Sequence, residues 1–308
     1  MSILAACKPS QKEDLTGMKL FRFGDPGNEK PAVELPSGRT FDVSAFGEDY
    51  NENFFATDGV NRLKSWLSEN AAKCPSTDPL VRIASCVARP SKIVAIGLNY
   101  KEHIAEGRSP AVPQSIPVEP IIFFKSTTAL CGPYDDAIIP KNSRKMDWEV
   151  ELAVIIGKKA SYVSVEDALD YVAGYSVMND YSEREWQLEK DGKQWDKGKS
   201  ADTFAPLGPY LILPEDIENP QALDLWLKLN GTIVQKANTR DMIFTIPVLI
   251  SYISQHMTLL PGDVISTGTP AGVGNAMVPP VYLKNSDVVE LGVDGIGVQK
   301  QNVKSFVQ

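Results

Sequence analysis

Histidine is nearly absent from this chain: His103 and His256 are the two it has in 308 residues. Any imidazole chemistry must therefore centre on one of them. Cysteine is scarce as well. Cys7, Cys74, Cys86 and Cys131 are widely spaced, with no CxxC and no Cys/His cluster at zinc-ligand spacing, which argues against a disulfide framework or a structural zinc site. No apolar run approaches the roughly 20 residues that a membrane helix requires. Positive charge is not in excess either, since 31 Lys and Arg face 39 Asp and Glu for a net −8. That balance disfavours nucleic acid or an anionic membrane as partner, while a locally positive site for a small anion stays open. A phosphate loop is missing too, because "GKS" at 198–200 would need glycine at 193, where Lys193 stands. Finally, "ILAAC" (3–7) follows no basic region and no adequate apolar stretch, so it is not read as a signal peptide. Residues 1–17 are expected to be a disordered extension and the protein to be cytoplasmic.

What is present is an ordinary globular composition, 43% hydrophobic and 23% charged, long enough for a large core. Residues 18–75 read as a small α+β unit: short alternating strands with the turn signals "DPGN" and "PSGR", then a helix over 58–74 that Asp58 could cap. "CPSTDPL" (74–80) is the expected linker, and residues 76–308 form the main domain. Its many short β-like runs include 92–98, 120–125, 148–156, 172–178, 207–213 and 225–237, with "LNGT" as a hairpin turn. Helical signals are fewer, at 99–107, 164–171, 181–192 and 244–257. Strands do not alternate with long helices, so a doubly wound parallel sheet is disfavoured and a mainly β, α+β architecture is expected.

One strand is chemically odd. "MDWEVELAVIIGKK" (146–159) is apolar enough to be buried, yet it carries Glu149 and Glu151. Two residues apart on a strand, they share a face, where they repel one another and lose hydration. A wet edge strand or individual basic partners would explain such a pair, but the flanks here are too apolar for an edge. Asp180 ends the run "VAGYSVMND", and three converging carboxylates would suit a hard divalent cation: Mg²⁺, Mn²⁺ or Ca²⁺. In "GLNYKEHIAEG" (97–107), Asn99 could cap a short helix on which His103 and Glu106 lie at i and i+3. Alone this reads as an exposed polar turn; with a substrate it could be a general-base dyad on a lid flanked by glycines. Lys199 offers a cation, Gln187 an amide, and the glycine-rich "STGTPAGVG" (266–274) offers Thr269 and backbone amides to a carboxylate.

Taken together, "GLNYKEH", "DWEVELAVIIG", "VMNDYSERE", "GKSADTFAPLGP" and "PGDVISTGTPAGVG" closely resemble the fumarylacetoacetate hydrolase family over residues 90–305. The resemblance implies a mixed β-sandwich roll catalytic domain beside the small N-terminal α+β domain, usually as a homodimer. It implies Glu149, Glu151 and Asp180 as metal ligands and His103 with Glu106 as the dyad. It further implies Lys199 and Gln187 as contacts to the reacting group, Thr269 as a substrate contact, and Lys125 as a contact near the substrate carboxylate. The expected reaction is hydrolysis of a 2,4-dioxo acid, an acylpyruvate or a 2,4-dioxo-3-deoxy sugar acid. Water activated by the dyad adds to the 4-carbonyl, and pyruvate leaves as its enolate. Ureidoglycolate lyase, oxaloacetate decarboxylase, isomerase and a decayed ligand-binding dimer are the alternatives.

Overall fold

The structure, a computed structural model, describes residues 14–107 and 115–307. Most of the expected N-terminal extension, residues 1–13, lies outside them.

The buried branched runs pair into one large sheet of eleven strands. Its main path runs Thr40–Asp42, Lys30–Glu34, Lys19–Phe23, Ala205–Ile212, Val172–Asn179, Val150–Ile156, Val264–Ser266, Ile93–Gly97, Ile121–Lys125. Pairing along this path is antiparallel apart from a parallel step between Val264–Ser266 and Ile93–Gly97. The three strands of the N-terminal segment extend this sheet, meeting it where Leu20 lies opposite Leu211. A second sheet of five strands, Thr232–Asn238, Asp224–Leu229, Val288–Val293, Gly297–Ser305 and Ala137–Ile139, packs across Val150–Ile156 and Val172–Asn179. Leu152, Val154, Val177, Leu227 and Leu291 belong to one buried cluster spanning the two sheets, and each contributes about 1.5–3 kcal/mol. The molecule is a mixed, mostly β sandwich, as the strand-rich pattern predicts.

Local chemistry accounts for several departures from the expected elements. The strand carrying the glutamates runs Val150–Ile156, completely buried, with an irregularity in its pairing between Ile155 and Ile156. Glu149 sits one residue before it, still paired, its carbonyl accepting from the Asp180 amide at 2.9 Å. The expected 58–74 helix runs Gly59–Asn70, and Asp58 makes no side-chain cap, being held in left-handed backbone (φ 57°). A separate turn of helix, Glu52–Ala56, precedes it, capped by Asn51. Asn99 does not cap the helix Lys101–Glu106. Its amide instead bonds Thr267 O at 2.8 Å and Phe244 O at 3.0 Å, pinning two loops beside the site. Residues 181–192 are not one helix: Ser182–Glu183 pairs with Met146–Asp147, and Glu185–Glu189 is a π-helical turn. The "LNGT" turn is a hairpin as expected, with positive φ at both Asn230 and Gly231.

Candidate functional site

Two adjacent central strands put the three acidic residues together. Glu149 and Glu151 come from the start of Val150–Ile156, and Asp180 follows the end of Val172–Asn179, its antiparallel neighbour. Because Val150 faces Asn179 in that register, the carboxylates converge, each offering an oxygen within 4.8 Å of the others. All three are buried: Glu149 is 5% exposed, Glu151 1% and Asp180 0%.

The surrounding cations are distributed unevenly. Arg184 Nη2 donates to Glu149 Oε1 at 2.7 Å, and Lys199 Nζ to Glu149 Oε2 at 2.6 Å. Lys199 also reaches Asp180 Oδ2 at 2.8 Å, while Lys125 donates to Asp180 Oδ1 at 2.5 Å. Glu151 has neutral donors, Ser266 Oγ at 2.6 Å and the Gly268 amide at 2.8 Å. The two glutamates therefore titrate in opposite directions. Burial would raise Glu149, but Lys199 and Arg184 outweigh it and hold the carboxyl at about 2. Burial, together with the charges of Asp180 and Glu149, pushes Glu151 well above the usual carboxylate range. Burial would likewise depress Lys199, yet Asp180 and Glu149 raise it. A desolvated carboxylate beside two others is what a divalent cation would relieve. The donor set, three hard carboxylate oxygens, fits such an ion, so Glu149, Glu151 and Asp180 could hold one.

The dyad residues meet as their spacing predicts. His103 Nδ1 lies 2.7 Å from Glu106 Oε1, with both side chains partly exposed. Glu106 Oε2 accepts from the Gly272 amide at 2.7 Å, tying the helix to the glycine-rich loop. That loop does hold carboxylates through its amides, but they are the protein's own. Gly268 takes Glu151, Gly272 takes Glu106, and Gly274 and Asn275 take Asp147 at 2.7 and 2.9 Å. Gly272 is required there: its φ is 107°, and a Cβ would stand 1.9 Å from Val234 O. Thr269 Oγ1 donates to Val150 O at 3.0 Å and accepts from Gln235.

A cavity of about 60 Å³ opens beside Glu149, with His103, Arg184, Gln187, Lys199 and Thr269 also in its walls. Lys125 is not among them. Its three Nζ hydrogens go to Asp180, Tyr181 O and Lys199 O, so the structure places it beneath the carboxylates as a brace, where the sequence reading puts it against the substrate carboxylate. Gln187 reaches the cavity wall held by Arg184, at 3.0 Å from Nη1 to Oε1.

The family model for the fumarylacetoacetate (FAA) hydrolase C-terminal region matches residues 92–304. The chain belongs to the fumarylacetoacetate hydrolase family. A Burkholderia cenocepacia protein, named no more specifically than as a hydrolase, is 49% identical over 292 residues, covering 93% of this chain and 99% of its own. Among solved structures, a fumarylacetoacetate hydrolase from psychrophilic Exiguobacterium antarcticum is similar at a TM-score of 0.79 and 31% identity, covering 94% and 100% of the two chains. A maleylpyruvate hydrolase from Sphingobium sp. SYK-6, in complex with manganese(II) ion and pyruvate, is similar at 0.76 and 28% identity, covering 94% and 100%. Among the described residues no helix is long and apolar enough to cross a membrane.

Within this family frame, the sequence reading misses two residues that organise the site. Arg184 is 5% exposed and binds Asp147, Glu149 and Gln187 at once. Asp147, fully buried, links Arg184 to the amides of the glycine-rich loop. Both lie inside quoted motifs, "SERE" and "DWEVEL". The available signal was Asp147 adjoining "WEVEL" and Arg184 four residues after Asp180.

Proposed function

We propose that the protein hydrolyses the C3–C4 bond of a 2,4-dioxo acid, releasing pyruvate and a carboxylic acid, with Mg²⁺ or Mn²⁺ as cofactor. The observation that carries this reading is one cavity walled both by Glu149 of the three-acid cluster and by His103, which Glu106 holds from behind. A divalent cation on the three carboxylates would supply a Lewis acid for the carboxylate and 2-oxo oxygens of the substrate. Glu106, fixed by the Gly272 amide, orients His103 through Nδ1 and leaves Nε2 as the basic nitrogen, able to take a proton from water attacking the 4-carbonyl. As C3–C4 breaks, that proton can pass to the departing carbon. Arg184 and Lys199 stabilise negative charge developing nearby, as preorganised donors in a dry site do. The relative solved with manganese and pyruvate supports this class of substrate. The test is to incubate the protein with acetylpyruvate and Mn²⁺ or Mg²⁺ and follow the loss of diketone absorbance. Absence of turnover on every 2,4-dioxo acid offered, despite bound metal, would sink the proposal.

A further inference from the structure

The cavity has a second character besides its charged floor. One wall is built from Gly97, Phe123 and Trp195, with Ile96, Leu98 and Leu188 around them. Trp195 begins the short helix Trp195–Lys199, whose last residue is the lysine on the carboxylates. Its ring meets Phe123 edge-on at 5.5 Å and lies over Gly97 so closely that a Cβ there would fall 2.3 Å from the indole. Glycine at 97 thus makes room for the indole. Leu98 is held in left-handed backbone (φ 57°), where glycine would be unstrained. A leucine in that conformation is strained and must be enforced by its surroundings.

The cavity's charges, in contrast, are already committed. Among the described residues its cations are Arg184, paired with Asp147 and Glu149, and Lys199, paired with Glu149 and Asp180. Gln187 is held by Arg184, and Asn275 Oδ1 accepts from Tyr282. The volume of about 60 Å³ has room for roughly four to six ordered waters. We infer that the acyl end of the substrate is small and uncharged, and that Trp195 sets its size. An acyl chain ending in a second carboxylate would be desolvated against an indole, a phenyl ring and aliphatic side chains, and among the described residues of the wall no uncommitted cation meets it. This inference rests on the 2,4-dioxo-acid reading and narrows it.

The experiment compares kcat/KM on acetylpyruvate, on an aroylpyruvate and on an acylpyruvate whose acyl chain ends in a carboxylate. The enzymes are the Mn²⁺-loaded wild type, Trp195→Ala and the milder Trp195→Phe. The wild type should favour acetylpyruvate at least tenfold over each of the others. Trp195→Ala should raise the aroyl-to-acetyl ratio at least tenfold, chiefly through KM, with Trp195→Phe between the two and covering the case where the alanine variant does not fold. A wild type preferring the carboxylate-ended substrate, or a ratio that neither variant moves, overturns the inference while the hydrolase reading stands. No turnover of any of the three acids by the wild type overturns both.

Discussion

The floor and the roof of the cavity are held in different ways. The floor is three carboxylates on adjacent central strands, buried and gripped by Arg184, Lys199 and Lys125. The roof is one short helix whose His103 and Glu106 side chains remain 14% and 21% exposed, anchored to the loop by the Gly272 amide. The carboxylates are built into the buried centre of the sheet, with opposing charges limiting their repulsion. On the proposed reading, a base that exchanges protons with water sits where water can reach it, and the difference divides charge storage in the floor from proton traffic in the roof.

Substitutions separate the two. The largest effect is expected from Glu151→Ala, which removes the one floor carboxylate without a cation on it: turnover on acetylpyruvate should vanish together with Mn²⁺ binding by calorimetry, and normal kcat at saturating metal would refute its place in the floor. His103→Asn should lower kcat by about 10²–10⁴-fold while Mn²⁺ affinity stays unchanged, because the floor is untouched. A matching loss of metal binding would erase the distinction. Lys199→Met leaves Glu149 and Asp180 short of a buried partner, so the metal-free protein should lose about 3–5 kcal/mol of stability. In thermal melts that deficit should shrink when Mn²⁺ replaces chelator, since a bound cation supplies the missing charge, and an equal deficit in both conditions contradicts this. Glu106→Gln should be mildest, about 10–100-fold in kcat, with the acidic limb of the pH–rate profile moved to lower pH, because the imidazolium loses its carboxylate partner and the base acts when neutral. A flat change at every pH would mean that Glu106 acts only as a clip to the loop.

The same contrast explains what was legible in the sequence. Glu149 and Glu151 announce themselves because period-two spacing in an apolar run leaves no ordinary explanation for the pair. His103 and Glu106 follow from one helical turn. Arg184 is harder to see, because the run "YSEREWQLEK" carries only helical signals. It becomes a buried π-helical turn only once Ser182–Glu183 pairs with Met146–Asp147. Lys125 shows the same limit: its edge strand is visible, but whether its ammonium reaches toward substrate or toward Asp180 depends on a chain segment 55 residues away. The glycine-rich loop is recognisable as a binder of carboxylates, though not of which ones, because its partners, Glu106 and the Asp147–Glu151 segment, come from two distant parts of the chain.

That loop has a consequence for how the enzyme can vary. Residues 266–275 hold Glu151 of the floor, Glu106 of the roof and Asp147 behind Arg184, so it works as a jig against which separately folded parts are aligned. Gaining or losing a single residue there would throw all three out of register together. The Trp195 side chain packs on Gly97 and Phe123 and holds none of these three carboxylates. Change in what the protein accepts is therefore cheap on one side of the cavity, and change in how it reacts is nearly forbidden on the other.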